Sequence, residues 1–402
     1  MHRTYAGPGG GRRGVGATAA GGANLPALRS HNTALVLDLL RTAGEPGISR
    51  LELAEGTGLT PQAVSKITAR LRADALVTEA GRRASTGGKP RTVLRLVPGA
   101  GQAVGLHLDR DELRAVLCDL TGAVVAGRRA PLDLGSGAQA VVEGAAREVE
   151  ALLSEGAAER SGPVPDGAPA AIAGAGRSVP VLGVGVALPG PLDHARGVLH
   201  RVTGFPEWDG FPLRDALVRR LGMPVVVDKD TNAAALGLAL GEAVGGADTS
   251  FAYLHLGTGL GAGLVVGGAV HRGARTGAGE FGHQVVQLDG PPCECGDRGC
   301  IEALCLAAVA RGDMAEAARV LGTGAANLAG LLDIDLVLLG GRTVAAHPDA
   351  FERGVGAVLD ARARREGSTA AVPVRIAPGG ARGVAEGAAQ LLLAPLFGRA
   401  EA

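Results

Sequence analysis

Three features of the sequence predict an α/β chain built as a winged helix-turn-helix followed by a larger, two-lobed α/β body. Residues up to 98 carry three short helical periods and then two strand-like runs. From residue 103 apolar strand runs alternate with longer helical stretches. Charge divides along the same line. Residues 1–100 hold 14 Lys and Arg against 6 Asp and Glu, a net of +8; the remaining residues hold 26 against 34, a net of −8. A basic front on an acidic body points to a front that meets a polyanion. Arg3, Arg12 and Arg13 of the Arg-rich start supply only three of the 14 cations.

A chain of 402 residues is long enough for two or three domains. Residues 1–25 are rich in Gly, Ala and Arg and lack the apolar stretch of a secretory signal, so a disordered tail is expected there. The expected division is this tail, a winged helix-turn-helix over 26–98, and a larger domain over 102–402. No run of about eighteen apolar residues is present, so no membrane-spanning helix and a cytoplasmic protein are expected. In a reducing compartment the five cysteines do not read as a disulfide framework, and three of them crowd into residues 293–300, which points to metal.

The elements follow in order. Residues 28–43 form a helix with Leu35, Val36, Leu39 and Leu40 on one side, broken by Gly44-Glu45-Pro46-Gly47. Ser49 can cap a second helix, with Glu52 at the capping-box position and Leu51, Leu53 and Ala54 as its apolar residues. After the turn Gly56-Thr57-Gly58, Thr60 is a good N-cap and Pro61 suits the first position of a third helix. Residues 77–79 and 92–96 are strands around a loop at 81–91. In the body, strands are predicted at 103–108, 114–119, 123–128, 181–187, 224–227, 251–256, 262–266 and 336–339. Helices are predicted at 138–153, 232–241, 314–332 and 383–396. The Gly- and Pro-rich stretch 161–176 reads as a flexible surface insert.

On a wheel of the third helix Val64, Ile67 and Leu71 share the face to be buried. Gln62, Ser65, Lys66 and Ala69 lie opposite, with Arg70 and Arg72 at the flanks. That face is small and hydrogen-bonding near its start and basic further along. A recognition helix needs this arrangement, because its first turns reach base edges while cations reach phosphates. The loop that follows carries Lys89 and Arg91 at the place of a wing contacting the DNA backbone or minor groove. These residues predict a double-stranded DNA operator as partner.

Gly282-His283 is followed by Cys293-Glu294-Cys295-Gly296-Asp297-Arg298-Gly299-Cys300. Three thiolates and one imidazole, His283, Cys293, Cys295 and Cys300, make a closed tetrahedral zinc site. With four protein ligands no position is left for a reactive water, so the expected role is structural. Cys118 and Cys305 lie in apolar stretches and read as packing residues. The run Gly257-Thr258-Gly259-Leu260-Gly261-Ala262-Gly263 follows a strand. Its amides and the Thr258 hydroxyl can cradle a phosphate, and the same residues equally suit a tight hairpin.

These motifs occur together with Gly279-Glu280-Phe281-Gly282-His283, Gly299-Cys300-Ile301-Glu302, Pro189-Gly190-Pro191 and Asp230-Thr231-Asn232. With the winged helix in front, the chain resembles the ROK family of repressors and sugar kinases over residues 28–397. The resemblance implies an actin-like (ribonuclease H-like ATPase) sugar-kinase-type fold with sugar bound between the lobes. It also implies a homodimer or homotetramer and, in winged members, operator binding modulated by a sugar or sugar phosphate. By resemblance Asp230 matches the base of the kinases, and Glu280, His283 and Glu302 match sugar-contacting positions. Gly340-Gly341 matches the adenosine-side turn.

Departures from the family pattern are as informative. Where the kinases carry an Asp and then a Gly-Gly-Thr phosphate loop, this chain has His107-Leu108-Asp109-Arg110-Asp111-Glu112. Acidic side chains there oppose nucleotide phosphates, so ATP is not an expected cofactor and Gly257, Thr258, Gly259, Gly261 and Gly263 read as a vestigial phosphate loop. Lys229 stands where the family usually has Asn, a position from which it could meet an anionic ligand, and Gly204 stands where Asn commonly precedes Phe205-Pro206-Glu207-Trp208. The stretch 303–335 is shorter than usual for the family. The first expectation is a sugar-responsive DNA-binding regulator, a repressor of carbohydrate-related genes with a catalytically degenerate sensor. The alternatives are an active ATP-dependent sugar kinase with an attached DNA-binding domain, and a DNA-binding protein whose body only oligomerises. Loss of the phosphate loop favours the first over the second.

Overall fold

The computed structural model describes residues 31–83, 90–160, 179–200, 202, 205–241, 244–246 and 248–399. The tail 1–25, the start of the first helix at 28–30, Lys89 with the tip of the wing, the insert 161–176 and Gly204 lie outside the described residues. Among the described residues no helix is long and apolar enough to cross a membrane.

The front of the chain is α1 (His31–Ala43), β1 (Ile48–Ser49), α2 (Arg50–Thr57), α3 (Pro61–Ala73), β2 (Val77–Arg83) and β3 (Arg91–Leu96). Local chemistry sets these boundaries. The Ser49 side chain accepts the Glu52 amide while Glu52 accepts the Ser49 amide, a complete capping box, and Gly58 ends α2 in the left-handed region at φ 69. Thr60 caps α3 by accepting from the Ala63 amide, and Pro61 occupies the first turn. The three strands lie in the order β1-β3-β2. Strands β2 and β3 run further toward the wing tip than the sequence predicts, pairing Arg82 with Thr92 and Arg83 with Arg91 across an irregularity at Glu79/Gly81. The two-residue β1 is too short to show alternation and went unpredicted.

The body begins with β4 (Gln102–Leu108), β5 (Glu112–Asp119), β6 (Val124–Pro131), α4 (Ala138–Arg160) and β7 (Val181–Leu188). It continues with β8 (Leu192–Asp193), β9 (Val198–Leu199), α5 (Leu213–Leu221), β10 (Val225–Lys229) and α6 (Asp230–Leu240). The second lobe is β11 (Phe251–Leu256), β12 (Leu260–Val266), β13 (Ala269–Val270), α7 (Ile301–Ala310), α8 (Met314–Leu332), β14 (Leu336–Gly340), α9 (Arg342–Ala346), α10 (Pro348–Glu366) and β15 (Val374–Ile376). Helix α11 (Gly383–Leu393) then returns to the first lobe. Each lobe holds one five-stranded sheet, ordered β10-β7-β4-β5-β6 in the first and β13-β12-β11-β14-β15 in the second. Strands β4, β7 and β10 are mutually parallel, as are β11, β14 and β15. Strands β4, β7 and β14 are buried on both faces over most of their length, which explains their near-continuous apolar runs.

The two sheets face each other through two helices. Helix α11 lies on β4 and β7, helix α6 lies on β12 and β11, and the two helices pack against one another. Helices α4 and α5 cover the outer face of the first sheet, and α7, α8 and α10 cover that of the second. Backbone rather than side chain fills the middle of this stack. A Cβ at Gly105 would lie 1.9 Å from the Ala385 carbonyl oxygen, one at Gly185 1.8 Å from that of Ala388, and one at Gly387 2.0 Å from that of Ala233. The winged front does not have a core of its own. Val36, Leu40, Leu71 and Leu94 share one apolar cluster with Ala103 and Val116 of the first sheet and with Ala389, Leu393 and Phe397.

A buried ion pair also joins the lobes. The Arg272 guanidinium, beyond β13, donates to Asp228 of β10 at 2.8 Å, and Asp228 is almost fully buried. The other carboxylate oxygen of Asp228 accepts from the Lys229 amide and from Asn232 Nδ2 at 2.8 and 2.9 Å, which fixes the entry to α6.

Two outcomes follow. Gly387→Ala is expected to destabilise the chain by about 2 kcal/mol, because overpacking between two backbones outweighs the gain in helix propensity. Gly356→Ala in α10, where a Cβ meets nothing within 4 Å, is expected instead to be neutral or stabilising by about 0.5 kcal/mol. Equal denaturation midpoints for the two variants would contradict the packing described. Arg272→Ala leaves the Asp228 carboxylate buried without its cation and is expected to cost about 3 kcal/mol, part of which returns in the double variant with Asp228→Asn. Urea denaturation of the three proteins checks this, and no recovery in the double variant would remove the pair from the inter-lobe account.

Candidate functional site

Two regions gather the polar residues that the sequence singles out. The first is the exposed side of α3. Gln62, Ser65, Lys66, Ala69, Arg70 and Arg72 are all exposed, Val64 and Leu71 are buried, and Ile67 is partly buried. Thr68, absent from the predicted buried face, is also buried, with its hydroxyl donating to the Val64 carbonyl and accepting from Arg50 Nε. Arg91 is exposed at the start of β3. Arg72 pairs with Glu79 at 3.0 Å, an exposed contact that competes only weakly with a phosphate. Arg83, at the end of β2, faces the front of the chain. It donates to Glu52 at 2.9 Å and to the Pro46 and Gly47 carbonyls, which ties the wing to α2. The Ser49 amide and hydroxyl, followed by Arg83, hold the Glu52 carboxyl below its ordinary range.

The second region lies at the carboxyl ends of the parallel strands, where ligands gather in α/β sheets. Asp230 opens α6, and its Oδ1 accepts from the Thr231 amide. Lys229 is buried, and its ammonium donates to Glu280 Oε1 at 3.0 Å and to the Ala278 carbonyl. Its stem lies against Gly190, where a Cβ would come within 2.7 Å of Lys229 Cδ. Lys229, expected from the sequence to be able to meet an anionic ligand, has its charge met by Glu280 in this structure. Glu302 is buried in the first turn of α7, and its Oε2 accepts the Leu260 amide at 2.7 Å, so it holds the start of β12.

The glycine run resolves into a tight turn and a strand. Gly257 and Gly259 close the β11–β12 turn by a backbone bond of 2.9 Å, whereas Gly261 and Gly263 lie within β12 opposite His255 and Tyr253. A Cβ at Gly263 would sit 2.1 Å from the Thr231 carbonyl oxygen, so this glycine serves the approach of α6. The Thr258 hydroxyl donates to Asp109 Oδ1 at 2.9 Å.

The β4–β5 turn differs from expectation in its electrostatics. Asp109 and Asp111 both accept from Arg342, at 3.0 Å and at 2.6 and 2.9 Å, and Glu112 is paired with Arg114 and Arg129. The negative charge of this segment is thus met by cations, and repulsion of phosphates is not the force it exerts. Burial raises the Asp109 carboxyl, but His107, the Arg110 amide, Thr258 and Arg342 outweigh it and hold the group below the usual carboxylate range. The Arg342 hydrogen bond does the same for Asp111. Burial drives the His107 imidazole toward its neutral form against the pull of Asp230 and Asp109. Among the described residues its Nε2 has no hydrogen-bond partner. Sequence reasoning missed Arg342, Arg272 and Asp228, whose ion-pair partners lie between 44 and 233 residues away.

Beside Glu302 the four predicted metal-ligating residues converge. The ligand atoms of His283, Cys293, Cys295 and Cys300 all lie within 4.8 Å of one another and can hold a metal ion. Cys295 Sγ is 3.7 Å from Cys300 Sγ, and Cys293 Sγ is 3.7 Å from His283 Nδ1. A tetrahedron with metal–sulfur distances of about 2.3 Å has an edge of about 3.8 Å, so the donor set fits such an ion. Burial and the neighbouring thiols push the Cys300 thiol up to about 12, a shift that a bound cation reverses by taking the thiolate as ligand. Gly299, at φ 67, has its Cα side against the Gln287 carbonyl, where a Cβ would come within 1.7 Å; this contact folds the loop back on itself.

Comparison with known proteins places this geometry. A model described as "ROK family" matches residues 170–311. The xylose repressor of Caldicellulosiruptor bescii is 28% identical over 256 residues, covering 63% of this chain and 59% of the repressor. The chain spans about three fifths of the length of the curated repressors it first matches. Among solved structures, a ROK family transcriptional regulator described as a homologue of the E. coli MLC protein matches 93% of this chain and 98% of its own. Its TM-score is 0.70 and its identity 21%, a likeness of fold. The ROK hexokinase of Thermus thermophilus is 30% identical, with a TM-score of 0.54, over 72% of this chain and 96% of the hexokinase. A hexokinase matched almost end to end, the cysteine cluster beside Glu280 and Glu302, and two lobes joined through α6 and α11 lead to one conclusion: the chain belongs to the ROK family.

Proposed function

We propose that this chain is a DNA-binding transcriptional regulator, a repressor of carbohydrate-related genes whose operator affinity responds to a sugar bound between the lobes. The observation that carries the reading is the exposed face of α3, where Gln62, Ser65 and Lys66 precede Arg70 and Arg72 on a helix whose opposite face is buried. The repressors among its relatives support it. Residues 26–98 act as the DNA-contacting unit, with Arg91 and Lys89 on the wing, and residues 102–402 act as the sensor. The working unit is a homodimer or homotetramer in the cytoplasm, as the family resemblance implies.

In the sensor, Asp230, Glu280, His283 and Glu302 contact the ligand. Carboxylates and an imidazole suit vicinal hydroxyls because they fix direction as well as charge. The Lys229–Glu280 pair favours a neutral sugar over an anionic derivative, since the ammonium already has its counter-charge. Glu302 and the metal cluster share the start of α7, so the four ligands hold the sugar-facing side chains in place. The ion is zinc and its role structural: with four protein ligands no position remains for a water. Catalysis by phosphoryl transfer is not part of this reading. That reaction depends on positioned phosphates and neutralised charge, and here Arg342 and Thr258 are engaged by Asp109 and Asp111.

Two measurements test the proposal. On a duplex selected by this protein from a random DNA library, Lys66→Ala is expected to weaken binding and lower the slope of affinity against salt by about one unit. Arg72→Ala is expected to have a smaller effect, because Glu79 already holds its guanidinium. Unchanged affinity and slope for Lys66→Ala would sink the DNA assignment. Elemental analysis of the full chain, purified without chelator, is expected to find about one zinc per chain. Cys295→Ser is expected to lower both the zinc content and the unfolding temperature, and a metal-free, equally stable wild type would refute the zinc assignment.

A further inference from the structure

The turn between β4 and β5 presents three charges in a row, and each one meets the other lobe. Asp109 accepts from the Thr258 hydroxyl at 2.9 Å and from Arg342 at 3.0 Å. Asp111 receives both terminal nitrogens of Arg342, at 2.6 and 2.9 Å, in the fork geometry that makes guanidinium–carboxylate pairs directional. Arg110 points the opposite charge outward. Its guanidinium lies 3.5 Å from Glu294, within the metal-binding loop, and 5.7 Å from the centre of the Phe205 ring. A Cβ built on Gly259 would be 3.1 Å from Glu302 Oε2 and 3.7 Å from Arg110 Nη2, so Arg110 reaches across to the floor of the second lobe.

A single exposed pair of this kind would contribute little. Here the alternation of acid, base and acid on one turn is matched by base, hydroxyl and acid on the facing lobe. The side chain of Asp109 is mostly buried, at 15% exposure. The partners come from three separate turns: the β11–β12 turn, the metal loop and the start of α9. Such a network is held by geometry as much as by attraction, because each charge has a partner only when the lobes are together.

We infer that Asp109-Arg110-Asp111 is an inter-lobe clasp, a built-in occupant that closes the outer end of the cleft with the chain's own charges. The clasp keeps the lobes together without a nucleotide and opens by losing the Arg342 fork. It adds a mechanical element to the sensor reading and does not depend on it, since its test needs neither sugar nor DNA.

Hydrogen–deuterium exchange on the full chain is the test. Arg342→Gln is expected to raise exchange at least several-fold in residues 109–113 and 256–260, on opposite lobes, while α8 and α10 keep the wild-type rate. That unchanged rate reports an intact fold. Asp111→Asn is expected to give the same pattern to a smaller degree, because Arg342 keeps Asp109, and the double variant should exchange no faster than Arg342→Gln alone, where the Asp111 contact is already lost. Raising salt from about 0.05 to about 0.5 M should reproduce the pattern in the wild type and move the double variant less, since only the Arg110–Glu294 pair remains there to be screened. Additive effects of the two substitutions, or exchange confined to the mutated lobe, would overturn the clasp. DNA binding by Lys66→Ala is read separately, so failure of one proposal does not pass for failure of the other.

Discussion

The closeness of α6 to α11 governs the rest of the structure. The two helices meet where Gly387 faces the Ala233 carbonyl and Gly237 faces the Gly387 Cα, so their backbones approach as no pair of larger residues would allow. Each helix also lies against a sheet through glycine, α11 over Gly105 and Gly185 and α6 over Gly263. Four layers are thus drawn into a thickness that side chains would otherwise fill. Dispersion contacts are dense in such packing, and it leaves no slack for added volume. The alanines and glycines that dominate α6 and α11 make their apolar character low in bulk and high in consequence.

Because these helices are shared, three parts of the molecule sit on one continuous body. Asp230 begins α6 at the cleft. Helix α11 takes up the opposite side of α6 and ends beside α1, where Phe397 lies 5.2 Å from the Arg41 guanidinium and Arg399 pairs with Asp38 at 2.8 Å. Val36, Leu40 and Leu71 of the winged front join the same apolar cluster as Ala385 and Leu393. A continuous packed unit therefore runs from the start of α6 to the helices that flank α3. Interfaces packed this tightly shift as blocks rather than deform smoothly.

Charge decides what packing leaves open. Asp228 and Arg272 form a buried inner pair between the lobes, and Asp109, Asp111 and Arg342 a more exposed outer group. The ion pairs differ in burial and hence in consequence. The inner pair is removed from water, so loss of one partner is severe, whereas the outer one is half-exposed and sensitive to salt.

The sequence by itself determined the local chemistry. The capping box Ser49/Glu52, the Thr60-Pro61 start of α3, the exposed face of α3 and the gathering of His283 with three cysteines were legible because their partners lie close in the chain, where spacing fixes geometry. Helix α10 carries Phe351, Val355 and Leu359 at four-residue spacing, a period that was equally legible. Helix α7 was not, because an all-round apolar segment has no period to detect. Only the tertiary structure decided what the charged residues do. Lys229 reads as a free cation until Glu280, 51 residues away, is placed against it, and the acidic β4–β5 turn reads as a repulsive surface until Arg342 arrives from 231 residues on. The sign of a residue is written in the chain, but its electrostatic effect depends on the distance to its counter-charge, and that distance exists only after the lobes have folded together.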